Sequence, residues 1–155
     1  MTASNHAITG AVIAVVIKQP VMALPIAFLS HFVLDALPHF GSHEDDIPKR
    51  NASWLFRAVV SVDVIGFLFL LICIPDLAKQ NVLPATVLWS MLAAASPDIN
   101  WIWQFVQAIR TKKWPASNWY SCFHQAIQWF EKPIGLLVEL LWFIAALITF
   151  MRLIS

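Results

Sequence analysis

Apolar residues run along this chain in long stretches, separated by short polar breaks. The first, residues 7–17 (AITGAVIAVVI), is only eleven residues long. As a helix it would cover about 16 Å, half a bilayer. Lys18-Gln19-Pro20 breaks it, and residues 21–37 form a second stretch that Pro38 should close. These two could pack as a helical hairpin inside a bundle. Residues 39–56 are the most polar segment and read as a surface loop. A span over 58–74 follows, then a turn over 75–81, then a helix over 83–95 that meets Ser96-Pro97-Asp98. Serine before proline reads as the N-cap and first turn of a new helix. The fourth apolar run therefore kinks there, or ends and gives way to an interfacial helix over 99–110. Residues 117–131 are amphipathic, and 134–151 form the last span. The pattern predicts an all-α chain: one transmembrane domain over 1–155, an integral membrane bundle of about five membrane-embedded helices.

Composition supports lipid as the solvent. Of 155 residues, 59% are hydrophobic and 12% charged, against roughly 25% charged in an average soluble domain. Eight tryptophans suit a membrane–water interface. A net charge of +1 gives no reason to expect a nucleic-acid partner. Cys73 lies inside an apolar run, which argues against a disulfide to Cys122. Residues 1–6 lack the basic start of a cleavable signal peptide. If all five segments cross, Lys49, Arg50, Arg57, Arg110, Lys112, Lys113 and Lys132 share one side, with Lys18, Lys79 and Arg152 on the other. Seven against three makes the first side cytoplasmic, so positions such as Ser42 and Ser117 should face the cytoplasm.

The candidate chemistry lies in ionisable residues within or beside the apolar runs. Ser30-His31-Phe-Val-Leu-Asp35 places an imidazole and a carboxylate four residues apart, on one helix face, where they can clasp a divalent ion. Such residues in lipid are costly and usually functional. His39 is eight residues beyond His31, too far along a straight helix for the same ion unless the chain bends after Pro38. In the five-crossing topology His6, Asp63, Asp98, His124 and Glu139 all fall at the depth of the same leaflet as that pair, as one site requires. Structural alternatives stand beside each. His31 could be a core histidine bonded to a carbonyl. Asp63 could pair with a base or bond Ser61 or Thr9. Asp98 could be a first-turn acid. Glu139 could partner Lys132.

Three motifs add a resemblance. Asn5-His6 opening an apolar helix, Ser30-His31-x-x-x-Asp35, and Ser96-Pro97-Asp98-Ile99-Asn100 resemble the motifs of the membrane-bound metal-dependent hydrolases of the LexA-regulated inner-membrane type. The His-x-x-x-Asp helix is also similar to the ligand helix of zinc-dependent phospholipase C. The match covers about a fifth of the chain. It departs in three places: the Ser-His-x-x-x-Asp helix comes second rather than last, Asn100 replaces the second acid, and Trp101 replaces the following histidine. Ser121-Cys-Phe-His124 is a loose echo of the family's Thr-His-Ser stretch. The resemblance implies a helical hydrolase of the bacterial inner membrane, cleaving phosphoesters at a divalent-metal centre. Zinc is the expected ion, with manganese or iron as alternatives.

Together these readings give an expected ligand set of His31 and Asp35 first, Asp98 and His6 next, and His124. Asp63 and His39 are candidate catalytic groups, serving as the general base or as further ligands. The expected substrate is a phospholipid headgroup. The rival expectations are an ion or proton transporter or metal-binding membrane protein, and a structural membrane subunit whose His and Asp residues bond helices together.

Overall fold

The computed structural model describes residues 1–41, 54–79, 81–111, 113, 115, 116 and 118–155, with position 109 described by its backbone alone. It is all helical: α1 (Ala3–Ile17), α2 (Pro20–Asp35), α3 (Trp54–Ala78), α4 (Pro84–Ala95), a 3-10 turn (Ser96–Asp98), α5 (Ile99–Thr111), α6 (Trp119–Ile127) and α7 (Gly135–Ile154). The helix boundaries follow local chemistry. α1 stops where Lys18 turns left-handed at φ 61°. Its N–H then returns to the Ala14 carbonyl at 2.8 Å, as a C-terminal cap does. Pro20 opens α2 at a position whose N–H would be unpaired anyway. The α1–α2 connection is thus as tight as a hairpin reading requires. α2 ends ahead of Pro38, and Pro84 opens α4.

At Ser96-Pro97-Asp98 the chain tightens into the 3-10 turn and continues as α5. Ser96 is not the N-cap that its place before proline suggests. Its hydroxyl donates back to the Ala93 carbonyl at 2.9 Å, and the turn has no side-chain cap. The polar segment is also shorter than expected at its end, since Trp54, Leu55 and Phe56 belong to α3. Residues 42–53 of that loop, Ser42 among them, and also Ser117 lie outside the described residues.

α1 is the hub and packs against α2, α3, α4 and α7. Its approach to α4 is close: a Cβ on Gly10 would sit 2.5 Å from the Ser90 carbonyl oxygen, which only glycine avoids. Ile8, Ala11, Val15, Leu70, Met91 and Phe150 belong to the buried apolar core around that contact.

Among the described residues two helices, α3 and α7, are long and apolar enough to cross a membrane; α1 and α2 are shorter apolar helices. Only 17% and 11% of the apolar windows of α3 and α7 are buried, so both face outward with Val62, Ile65, Phe69, Ile72, Leu137 and Leu141 exposed. α5 is inverted in the same sense. Ile99, Ile102 and Trp103 are exposed, while Asn100 and Gln104 turn inward to the Ser121 hydroxyl. A helix on a water-soluble core would do the reverse.

Candidate metal centre

Three elements deliver four side chains to one buried point at one end of the bundle. α2 contributes His31 and Asp35 from successive turns of one face, the 3-10 turn contributes Asp98, and α6 contributes His124. One potential ligand atom from each lies within 4.8 Å of the others. His31 Nε2 is 3.1 Å from Asp35 Oδ2, 3.1 Å from His124 Nε2 and 3.6 Å from Asp98 Oδ1. His124 Nε2 is 2.9 Å from Asp35 Oδ2. Tetrahedral donors on zinc, each roughly 2.0–2.2 Å from it, stand about 3.3–3.6 Å from one another. The separations in the protein bracket that range, and two imidazoles with two carboxylates are a donor set that zinc accepts. The residues therefore fit a divalent ion.

Two of the donors, His31 and Asp35, are oriented by a neighbour outside the group. His31 Nδ1 lies 2.9 Å from the Ala94 carbonyl. A carbonyl can only accept, so Nδ1 carries the proton and Nε2 turns its lone pair to the centre. Gln128 donates its amide to Asp35 Oδ2 at 3.0 Å. α6 is fixed by Asn118, whose side chain caps the Ser121 N–H at 2.8 Å. Asn100 and Gln104 of α5 add hydrogen bonds to the Ser121 hydroxyl, one turn before His124. Tyr120 donates to the Pro97 carbonyl at 3.0 Å and so ties α6 to the 3-10 turn beside Asp98. Burial raises the Asp98 carboxyl above the usual carboxylate range. Burial, then the neighbouring Asp98 charge, raises the Tyr120 hydroxyl.

His6 stands beside this group. Its ring stacks on that of His31 with centroids 4.0 Å apart, and its Nε2 is 3.2 Å from Asp35 Oδ1. It is fully buried, yet among the described residues neither ring nitrogen has a hydrogen-bond partner of good geometry. The Met1 amine also meets Asp35 Oδ1. Asp35 thus presents one oxygen to His31, His124 and Gln128 and the other to His6.

Asp63 and His39 lie apart. Asp63, on α3, accepts from the backbone N–H groups of Ala3 and Ser4, both at 2.9 Å, and from the Ser4 hydroxyl. It caps the N-terminus of α1 from a neighbouring helix, and its partners are neither Ser61 nor Thr9. His39 forms an isolated bridge with Glu131. Its Nδ1 donates to the Leu37 carbonyl at 2.8 Å, and its Nε2 is 3.6 Å from Glu131 Oε1. Glu139 accepts from the backbone N–H groups of Phe40 at 2.9 Å and Thr2 at 3.3 Å, which tie the 39–41 segment and the start of α1 to α7.

The sequence reading missed Gln128 and the Ala94 carbonyl. Gln128 is four residues after His124, a spacing that could have singled it out. A backbone acceptor leaves no sequence signal. Comparison with protein-family models, with curated proteins and with solved structures returns no match. The hydrolase resemblance therefore rests on the motif residues alone.

Proposed function

We propose that this chain is a membrane-embedded, metal-dependent hydrolase of phosphoesters, with lipid headgroups as its substrate class. The membrane context is a bundle of about five embedded helices in a bacterial inner membrane, its site end facing the cytoplasm. The observation that carries the reading is the convergence of His31, Asp35, Asp98 and His124 on one buried point from three separate elements. His31, Asp35, Asp98 and His124 would hold the ion, with His6 beside them. Zinc suits this donor set, and manganese or iron are the alternatives. A divalent ion in such a site supplies Lewis acidity, activating water near neutral pH and polarising a phosphoryl oxygen. The chain's own residues do the rest. His31 is held in one tautomer by Ala94, and Gln128 orients Asp35.

The structural reading has one observation in its favour: hydrogen bonds from His124 and Gln128 to Asp35 join α6 and the residue that follows it to α2. Elemental analysis separates the two. Protein purified without chelators should carry a stoichiometric divalent metal and hydrolyse a generic phosphodiester or a phospholipid. Wild type that is metal-free and cannot be reloaded with zinc, manganese or iron would end the hydrolase reading.

A further inference from the structure

We infer that the groove between α1 and α7 holds one acyl chain of a membrane phospholipid whose phosphoester reaches the metal centre. This rests on the hydrolase reading and names how its substrate is seated. The groove has a volume of about 230 Å³ and is lined by Thr9, Val12, Trp142, Ala145, Ala146 and Thr149. Small residues on α7 make the space, and Ala145 and Thr149 are exposed along its length. The helix that walls it is one of the two long enough to cross a membrane, so its open side faces lipid.

The polar groups in the walls are already paired. Trp142 Nε1 donates to the Thr9 hydroxyl at 2.9 Å. Thr9 and Thr149 donate to the carbonyls of Asn5 and Ala145, both at 2.8 Å. Nothing there calls for a polar occupant, and an alkyl chain suits what remains.

A second observation links the groove to the centre. Residues 5, 9 and 12 of α1 lie within about 60° of one another around the helix. Asn5 is one turn above Thr9 on that face and is only 2% exposed. Its amide donates to the Thr2 hydroxyl at 2.7 Å, but its Oδ1 has no partner. A buried acceptor in that state is costly unless a ligand donates to it. His6 is the next residue, and Val12 is about 9 Å below it along the helix. An acyl chain at Val12 and Thr9, a hydroxyl or amide N–H of the polar linker at Asn5, and a phosphate beside His6 follow one another in the order of a phospholipid.

The test uses the full chain in detergent and a lysophosphatidic acid, whose free glycerol hydroxyl can donate to Asn5, with a diazirine midway along its acyl chain. Photolabelling should fall on the peptides of residues 9–12 and 142–149 and be competed by unlabelled lysophosphatidic acid. Ala145→Phe, which fills the groove at an exposed position, should weaken that labelling about tenfold, as losing roughly two buried methylenes would. Ile144→Phe, on the lipid-facing side of the same helix, should leave it unchanged. Glycerol 3-phosphate should not compete. Label that cannot be competed and spreads over exposed positions such as Phe69 and Ile72 would overturn the inference. So would saturable label indifferent to Ala145→Phe. Metal content, measured on the same samples, reports separately on the hydrolase reading: bound metal without groove labelling removes the groove alone, and groove labelling without metal removes the hydrolase alone.

Discussion

Asp35 is the residue on which the centre turns. It is fully buried and faces imidazoles on both oxygens. Asp35→Asn keeps its size and removes its charge, so bound metal and phosphoesterase activity should fall together; elemental analysis beside hydrolysis assays checks this. If Asp35 only bonded helices, the substitution would lower stability and leave metal content where it was. Gln128 acts one step out. Gln128→Ala should weaken metal binding about 10–100-fold, as losing an outer hydrogen bond to a ligand does, with activity returning when metal is added in excess. Metal titration of activity distinguishes that positioning role from a direct one, which added metal would not rescue. At this scale the sequence was partly legible. His31 and Asp35 stand out because helical spacing alone puts them on one face. His124 was reached only through its leaflet depth and a loose motif echo, since 93 residues separate it from His31 and nothing local reveals their contact.

The helices hold the ligands through contacts that are themselves specific. Asp63 shows how a carboxylate in an apolar run can serve an element rather than a site. Its partners Ala3 and Ser4 are about sixty positions away in sequence, so no spacing rule finds them. Asp63→Ala should cost about 1–2 kcal/mol, as the loss of an N-terminal cap does, while metal content persists. Denaturant titration in micelles, with metal analysis, reads both; loss of the metal at unchanged stability would return Asp63 to the centre. Gly10 sets the distance between α1 and α4, and hence between His6 and the Ala94 carbonyl that orients His31. Gly10→Ala should destabilise by about 1–3 kcal/mol through overpacking against backbone that cannot rotate away. The helices were legible as apolar runs and proline breaks. The 3-10 turn was legible only as a break, because a serine before proline looks the same whether its hydroxyl caps forward or bonds back.

At the scale of the whole molecule, apolar residues point outward and ionisable ones gather at one end. The chain direction through α1, α2, α4 and α7 leaves Lys18, Lys79 and Arg152 at the far end, where Asn81 bonds the Ile154 carbonyl. A single cysteine placed at Ala116, after replacement of the two free thiols Cys73 and Cys122, should be labelled only from the cytoplasm, and one at Leu83 only from outside. Labelling of Ala116→Cys from outside intact cells would invert the assignment. The number of crossings was the least legible property, since α1 and α2 are apolar enough for a membrane but short, and length alone does not say whether a helix crosses or is walled in by its neighbours. The spread of the ligands along the chain also sets a clock. His31 and Asp35 leave the ribosome early, whereas His124 follows 93 residues later, on the order of 5–20 s at common synthesis rates. Until Asp98 and then His124 are made, the nascent chain offers an imidazole–carboxylate pair that can hold an ion only weakly. On the proposed reading, capture of a metal is therefore a late event in biogenesis, reserved for chains whose last third has been made and has folded back.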